Sequence, residues 1–305
     1  MTRLIVTIGT CIVLFSGLAM AATAQDATPA SGLADFGLPE LNVTVNGTGY
    51  EGVSEQIDAG RYLVTATATD DTAEAGGGSI SFVQPVGATA EEYLLAVAPP
   101  DADATPSIEG VGELPAFVYE STYAGGAFVP AGQSAQMVID LTPGEWIVWG
   151  GDASAPWQPV IFEATGEMPT DLPEPEASAA ITMEDHSFTV SDGQLIAGSQ
   201  VIRIDNTGAQ MHHVSAGRTI KGITRDDVLA VLQSEMTGTP AAVEFNPDED
   251  FQPVFFSNNQ SSGTSMWIAV DLQPGPHILI CFVMDSETGL PHAYLGMVEV
   301  VEVGG

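Results

Sequence analysis

The stretch ILICFVMDSETGLPHAYLGMVEV (residues 278–300) contains two apolar runs separated by a polar loop. Both runs are rich in β-branched and other apolar residues, which is typical of β-strands. Cys281 lies at the end of the first run, His292 follows after ten intervening residues, and Met297 stands at the start of the last run. The stretch therefore predicts a strand–loop–strand unit that carries a thiol, an imidazole and a thioether.

A second group of polar side chains lies upstream in DNTGAQMHHV (205–214), where His212 and His213 follow a turn and begin a strand. A thiolate, two imidazoles and a weakly bound thioether form the ligand set of a blue-copper site. Copper is favoured over zinc because methionine is a poor zinc ligand. The alternative is structural: Cys281 would be a buried core thiol and the histidines would be surface residues.

Two motifs carry a resemblance to a known family. They read Asn-Thr-Gly-Ala-Gln-Met-His (206–212) and Pro-His-Ala-Tyr-Leu-Gly-Met (291–297). The C-terminal half resembles the cupredoxins, the superfamily of plastocyanin and azurin, and especially exported bacterial cupredoxin-like domains. The resemblance covers about 125 residues, and it extends to the first half only as a degenerate repeat.

The resemblance implies one copper ion with His212 and His292 as imidazole ligands, Cys281 as thiolate and Met297 as axial ligand. One departure is His213, which stands where many members of the family have asparagine. The choice between His212 and His213 therefore stays open at this point.

The loop between the cysteine and the second histidine is a further departure from the family. It is longer than in plastocyanin or azurin, and it carries Asp285 and Glu287. This length leads us to expect a site that is more open to solvent or to a second ligand.

The two halves of the chain repeat each other. GATAEEYLLAV (87–97) matches GITRDDVLAV (222–231), and each contains a threonine followed three residues later by a carboxylate, the signature of a helix capping box. VIDLTPGEWIVWGG (138–151) matches AVDLQPGPHILICF (269–282) through a shared Asp-Leu-x-Pro-Gly turn. The first half has no Cys or His between residues 37 and 167, so it cannot repeat the metal chemistry.

The predicted fold is all-β, with two cupredoxin-like Greek-key β-sandwiches in tandem and a short helix in each, near 89–97 and 224–235. Three prolines and three acidic residues between 168 and 178 predict an exposed linker. The predicted segments are a signal peptide at 1–24, a flexible leader at 25–36, a ligand-free domain at 37–167, a linker at 168–178 and a copper domain at 179–303.

The N-terminus predicts export. Arg3 precedes an apolar run that ends at Met20, and small residues allow cleavage after Ala21 or Ala24, as in a secretory signal peptide. An uncleaved membrane anchor is the alternative. Cleavage would remove Cys11 and leave a secreted or periplasmic chain with one cysteine and no membrane span. A single thiol in an oxidising compartment is a liability unless it is buried or bound to metal.

The charge is strongly negative, with 40 acidic and 6 basic residues and a formal net charge of −34. Such a surface repels phosphate backbones and anionic lipids, so it argues against nucleic acid as a partner. It favours solubility, or alternatively the steering of a cationic partner protein.

Together these features predict an exported type 1 copper protein that acts in electron transfer or copper handling, with an unknown redox partner protein. The alternative is a metal-free β-sandwich that serves as a binding or adhesion module. We expect no enzymatic activity, because the chain has no nucleophile elbow and its five histidines cannot furnish a trinuclear copper centre. His186 and His277 lack a ligand context, and we expect them to be structural or surface residues.

Overall fold

The computed structural model describes residues 33, 36–98, 114–150, 157–191, 194–243 and 245–305. The predicted signal peptide and nearly all of the predicted leader lie outside the described residues. Within the described ranges, no helix is both long and apolar enough to cross a membrane.

Alternating and β-branched segments form the strands of the first half, as the sequence predicts. In chain order they are β1 (Glu40–Val45), β2 (Tyr50–Glu51), β3 (Gln56–Asp58), β4 (Gly60–Ala68), β5 (Gly77–Gln84), β6 (Thr122–Pro130), β7 (Ser134–Leu141), β8 (Gly144–Trp149) and β9 (Val160–Thr165).

The second half continues in the same manner. Its strands are β10 (Ala179–Glu184), β11 (Ser187–Ser191), β12 (Gly198–Asn206), β13 (Ser215–Thr219), β14 (Phe251–Phe256), β15 (Ser265–Leu272), β16 (Gly275–Ile280) and β17 (Val298–Val303).

Both halves use one strand order, which confirms the predicted repeat. In the first half β1 pairs in parallel with β4, which pairs with β7, and in the second half β10 pairs in parallel with β12, which pairs with β15. The opposite sheets also correspond, since the order β6-β5-β8-β9 matches β14-β13-β16-β17. The predicted tandem of two β-sandwiches is therefore confirmed.

Each half carries its helices between equivalent strands, after β5 in the first half and after β13 in the second. They are α1 (Ala90–Val97), α2 (Ala116–Glu120), α3 (Arg225–Thr237) and α4 (Pro247–Asp250), and 3-10 helices occupy Asp70–Ala75 and His292–Leu295. Capping boxes at Thr89 and Thr224 begin α1 and α3, which confirms the two predicted helices. The short helices α2 and α4 have no counterpart in the prediction.

The two sandwiches are joined more closely than a linker alone would join them. Strands β7 and β15 pair antiparallel, with Val138 opposite Trp267 and Met137 opposite Ile268. This pairing, the β7–β15 seam, produces one eight-stranded sheet that passes through both halves. Residues 166–178 hold neither helix nor strand, as expected for a linker, and the exact domain boundaries stay a prediction.

One apolar core extends through both sandwiches. It includes Trp146 and Val148 from the first half and Ile204 and Leu279 from the second, all of them buried. The candidate ligands Cys281 and Met297 belong to the same core, as expected if the sandwich positions them before any metal binds.

Candidate metal centre

His212 is positioned by a turn that follows β12. The side-chain amide of Asn206, the last residue of β12, donates hydrogen bonds to the carbonyls of Gln210 (2.9 Å) and Gln260 (2.8 Å). Its Oδ1 accepts a hydrogen bond from the Gly208 N–H at 3.0 Å. The backbones of His212 and Gln260 then exchange two hydrogen bonds, of 3.0 and 2.7 Å. The asparagine of the first motif therefore fixes the turn that leads to His212.

The glycine of that motif makes room for the imidazole. A Cβ atom at Gly208 would lie 2.7 Å from Nε2 of His212 and 2.5 Å from Oδ1 of Asp185. Contacts this short are sterically forbidden, so a side chain here would displace the imidazole or the carboxylate.

Cys281 directly follows β16, and its side chain is fully buried. Its carbonyl accepts a hydrogen bond from the Ala293 N–H at 2.7 Å, and its N–H donates to the carbonyl of Met297 at 3.2 Å. The sulfur accepts the backbone N–H of His213 at 3.5 Å. The thiol is thus held by the backbone on both sides of the following loop.

His292 begins the 3-10 helix that closes the loop. Its N–H donates to the carbonyl of Val283 at 2.8 Å, and its carbonyl accepts the N–H of Met297 at 2.9 Å. The Met297 backbone is therefore hydrogen-bonded to both Cys281 and His292, and its side chain is fully buried in the core.

Three donor atoms converge at this end of the second sandwich. Nδ1 of His212 lies 3.0 Å from Nδ1 of His292, and the Cys281 sulfur lies 3.9 and 3.6 Å from these two nitrogens. Atoms bound to one metal at about 2.0–2.3 Å are separated by roughly 3.3–3.8 Å. His212, Cys281 and His292 are all fully buried, and they form a cluster that can hold a metal ion.

The neighbouring His213 has a different environment. Its Nε2 accepts the backbone N–H of Phe282 at 3.0 Å, so the proton of the neutral ring lies on Nδ1, which faces Oδ1 of Asn259 at 3.1 Å. Both ring nitrogens are therefore engaged by protein groups. The structure brings His212 rather than His213 into the cluster with Cys281 and His292.

The carboxylate of Asp185 contacts Nε2 of His212, the ring nitrogen that faces away from Cys281 and His292. Asp185 lies in the two-residue turn between β10 and β11, and its Oδ1 is 3.0 Å from Nε2 of His212. The same oxygen accepts the backbone N–H groups of Ala209 (2.9 Å) and Gln210 (3.2 Å). Burial raises the pKa of Asp185, but the hydrogen bonds from His212 and these N–H groups outweigh burial and lower it overall.

The long loop after Cys281 is closed, and the expectation of a solvent-open site is wrong. Oδ1 of Asp285 accepts the N–H groups of Glu287 (3.2 Å) and Thr288 (2.7 Å), which folds the loop on itself. Oδ2 accepts the side-chain amide of Gln210 at 2.6 Å, and Oε1 of Gln210 accepts the N–H of Ser286 at 3.0 Å. Asp285 is 3% exposed and His292 is fully covered.

Burial controls protonation at the centre. It raises the pKa of Cys281 to about 12, against the opposing effect of the His213 N–H. It lowers the pKa of His213 to about 4, and together with the neighbouring His212 it lowers the pKa of His292 to about 4. Burial also lowers the pKa of His212, although Asp185 opposes it. At neutral pH the metal-free centre is therefore a thiol beside neutral imidazoles, and a metal displaces the thiol proton.

Sequence reasoning missed His186, which belongs to the surroundings of the centre. It follows Asp185 in the hairpin turn, with φ of 65°, and its ring centroid lies 5.4 Å from that of His292. His186 lies far along the chain from Cys281 and His292, so the sequence does not show that they are close. Only the strand pairing brings the hairpin turn to the centre. His277 is buried in β16 with Nδ1 3.0 Å from the Gly275 carbonyl, and it belongs to neither cluster of metal-ligating groups found among the described residues.

Comparisons with known proteins gave matches among solved structures alone. No family model matches the chain, and no curated protein matches it. Among solved structures, auracyanin from the photosynthetic bacterium Roseiflexus castenholzii is 20% identical, with 41% of this chain and 95% of that chain covered and a TM-score of 0.26.

Two further solved structures align with a larger part of the chain. A multicopper oxidase is 13% identical, with 87% of this chain and 88% of that chain covered and a TM-score of 0.22. The copper nitrite reductase from Nitrosomonas europaea is 9% identical, with 87% and 94% covered and a TM-score of 0.24.

The names of these two structures are those of enzymes. They contradict the expectation that the protein has no enzymatic activity, and that expectation is withdrawn. The resemblance to cupredoxins rests on the two motifs and on the two β-sandwiches that the structure shows.

Proposed function

We propose that the protein binds one copper ion, which Nδ1 of His212, Sγ of Cys281 and Nδ1 of His292 would hold with Met297 as a weaker fourth ligand, and that it transfers single electrons. The observation that carries this proposal is the convergence of a thiol and two imidazole nitrogens within 3.9 Å of one another. Bound copper would supply a one-electron couple between Cu(II) and Cu(I).

The donor set fits copper chemically. A soft thiolate stabilises Cu(I), and imidazoles bind both oxidation states. The Asp185 carboxylate faces Nε2 of His212, which keeps the proton on that nitrogen and leaves Nδ1 free for the metal. Oε1 of Gln210 lies 3.4 Å from Nε2 of His292 and favours the same tautomer there. The surrounding residues thus prepare both nitrogens as ligands.

Electron transfer is supported over copper handling by the enclosure of the centre. A protein that passes its metal to an acceptor needs a ligand that the acceptor can reach. Here all three donor residues are fully buried, and the loop around Asp285 covers His292. An electron can leave through a buried imidazole, whereas the ion cannot leave without opening the loop.

The first sandwich has no part in this chemistry. Residues 37–167 contain neither Cys nor His, so one thiolate-bound copper per chain is expected. The signal-peptide features at 1–24 support action outside the cytoplasm, and the net charge of −34 supports a cationic redox partner.

A copper titration followed by a redox titration tests the proposal. We expect one copper per chain that survives dialysis and a reversible one-electron couple. Met297→Leu should retain copper but change the reduction potential, because a thioether ligand would bind weakly and would tune the couple. His212→Ala should lose copper, while His213→Asn should retain it. A chain that keeps no copper after dialysis would favour the metal-free binding module instead.

A further inference from the structure

Nε2 of His292, the ring nitrogen that faces away from the copper centre, lies near a second group of metal-ligating atoms. Oδ2 of Asp285 lies 3.4 Å from Nε2 of His186 and 3.9 Å from Nε2 of His292. Ligand atoms of these three residues all lie within 4.8 Å of one another. The group shares only His292 with the copper centre, and it uses the other nitrogen of that ring.

The distances from Asp285 to His186 and to His292 are longer than those of strong hydrogen bonds. A hydrogen bond between an imidazole N–H and a carboxylate measures about 2.7–2.9 Å, and neither separation is that short. Nε2 of His186 is buried and has no hydrogen-bond partner among the described residues. Nitrogen and oxygen atoms bound tetrahedrally to Zn²⁺ at about 2.0–2.2 Å lie roughly 3.4 Å apart. The three ligand atoms are therefore close enough together to bind one cation.

We propose that His186, Asp285 and His292 form a second site, for a divalent cation such as Zn²⁺, and that the His292 ring bridges this cation and the copper ion. The inference rests on the proposed function only through His292. Two imidazoles and a carboxylate suit zinc, and a water molecule would complete the tetrahedron. As the cation binds, the His292 ring loses its Nε2 proton to solvent.

The two sites differ in access. The side chain of His186 is 37% exposed, although its Nε2 is buried, whereas the residues of the copper centre are buried completely. Movement of the His186 side chain alone would therefore open a path from solvent to the second site while copper remains in place. Because the net gain of positive charge lies beside the copper, it should favour Cu(I) and raise the reduction potential.

The structure offers a clean variant for the test. His186 has φ of 65°, and asparagine tolerates this left-handed conformation well, so His186→Asn removes the imidazole without straining the turn. Glu287→Gln is the matched control, because it neutralises a carboxylate in the same loop that faces solvent.

The experiment is a zinc titration of copper-loaded protein by calorimetry, with excess Mg²⁺ present to occupy sites made of carboxylates alone. Wild type and Glu287→Gln should each bind one zinc ion, and the copper potential should rise. His186→Asn should bind none and keep its potential. Equal zinc uptake by wild type and His186→Asn, or no uptake by wild type, would overturn the second site. Absence of a copper couple would overturn the proposed function. A difference in zinc uptake between wild type and His186→Asn would still support the second site in that case.

Discussion

Gly208 shows at the scale of a single residue how the first motif serves the centre. Because a Cβ there would meet His212 and Asp185 at 2.7 and 2.5 Å, we expect Gly208→Ala to weaken copper binding at least tenfold and to lower the free energy of unfolding by about 1–3 kcal/mol. Copper affinity and denaturant unfolding measure both effects. Gly222→Ala is the control, since no atom lies within 4 Å of a Cβ at that position. Equal behaviour of the two variants would contradict this steric role.

Buried neutral histidines predict how the stability of the metal-free protein depends on pH. The pKa values of His213 and His292 fall from 6.5 to about 4 on folding, so the unfolded chain binds more protons between these values. Stability should therefore fall as pH drops from 6.5 towards 4, by up to about 1.4 kcal/mol per pH unit for each group. Unfolding midpoints measured across this range test the slope. His213→Asn should reduce the slope, and an unchanged slope would show that His213 is not buried in the neutral form.

The hairpin of β10 and β11 acts on the centre as an element, because its turn carries Asp185 to the His212 ring. A carboxylate at this position makes the imidazole a stronger ligand and favours Cu(II). Asp185→Asn should therefore raise the reduction potential of bound copper, by roughly 59 mV for each tenfold change in relative affinity for the two oxidation states. Redox titration measures the shift. Glu184→Gln, an exposed carboxylate in the same hairpin, should leave the potential unchanged, and an equal shift in both variants would indicate a general effect of charge.

The sequence predicted those helices and strands that depend on residues close together in the chain. The helices at Ala90–Val97 and Arg225–Thr237 begin at capping boxes, whose residues lie within four positions of one another. The covering loop and the hairpin turn were not predictable in the same way. Asp185 meets His212 across 27 residues, and Gln210 meets Asp285 across 75, so neither contact leaves a periodic or short-range signal.

At the scale of the whole molecule, the β7–β15 seam makes the ligand-free sandwich part of the support of the copper domain. Trp267 lies at this seam, and the guanidinium groups of Arg61 and Arg203 lie 4.6 and 5.3 Å from its ring. Arg61 also donates two hydrogen bonds to Asp140, of 2.7 and 2.9 Å. Edge strands that pair with each other are protected from pairing with other chains. The sequence did not predict this pairing, because an edge strand and an internal strand have the same alternating pattern.

The visible absorption spectrum after copper addition tests the central claim most directly. Cu(II) bound to the thiolate of Cys281 should produce one intense visible band per chain, since thiolate donates charge to the metal. Cys281→Ser should abolish this band, because a hydroxyl group cannot replace that donation. An unchanged spectrum and potential in Cys281→Ser would show that the cysteine is only a core residue, and it would contradict the assignment of a copper centre to His212, Cys281 and His292.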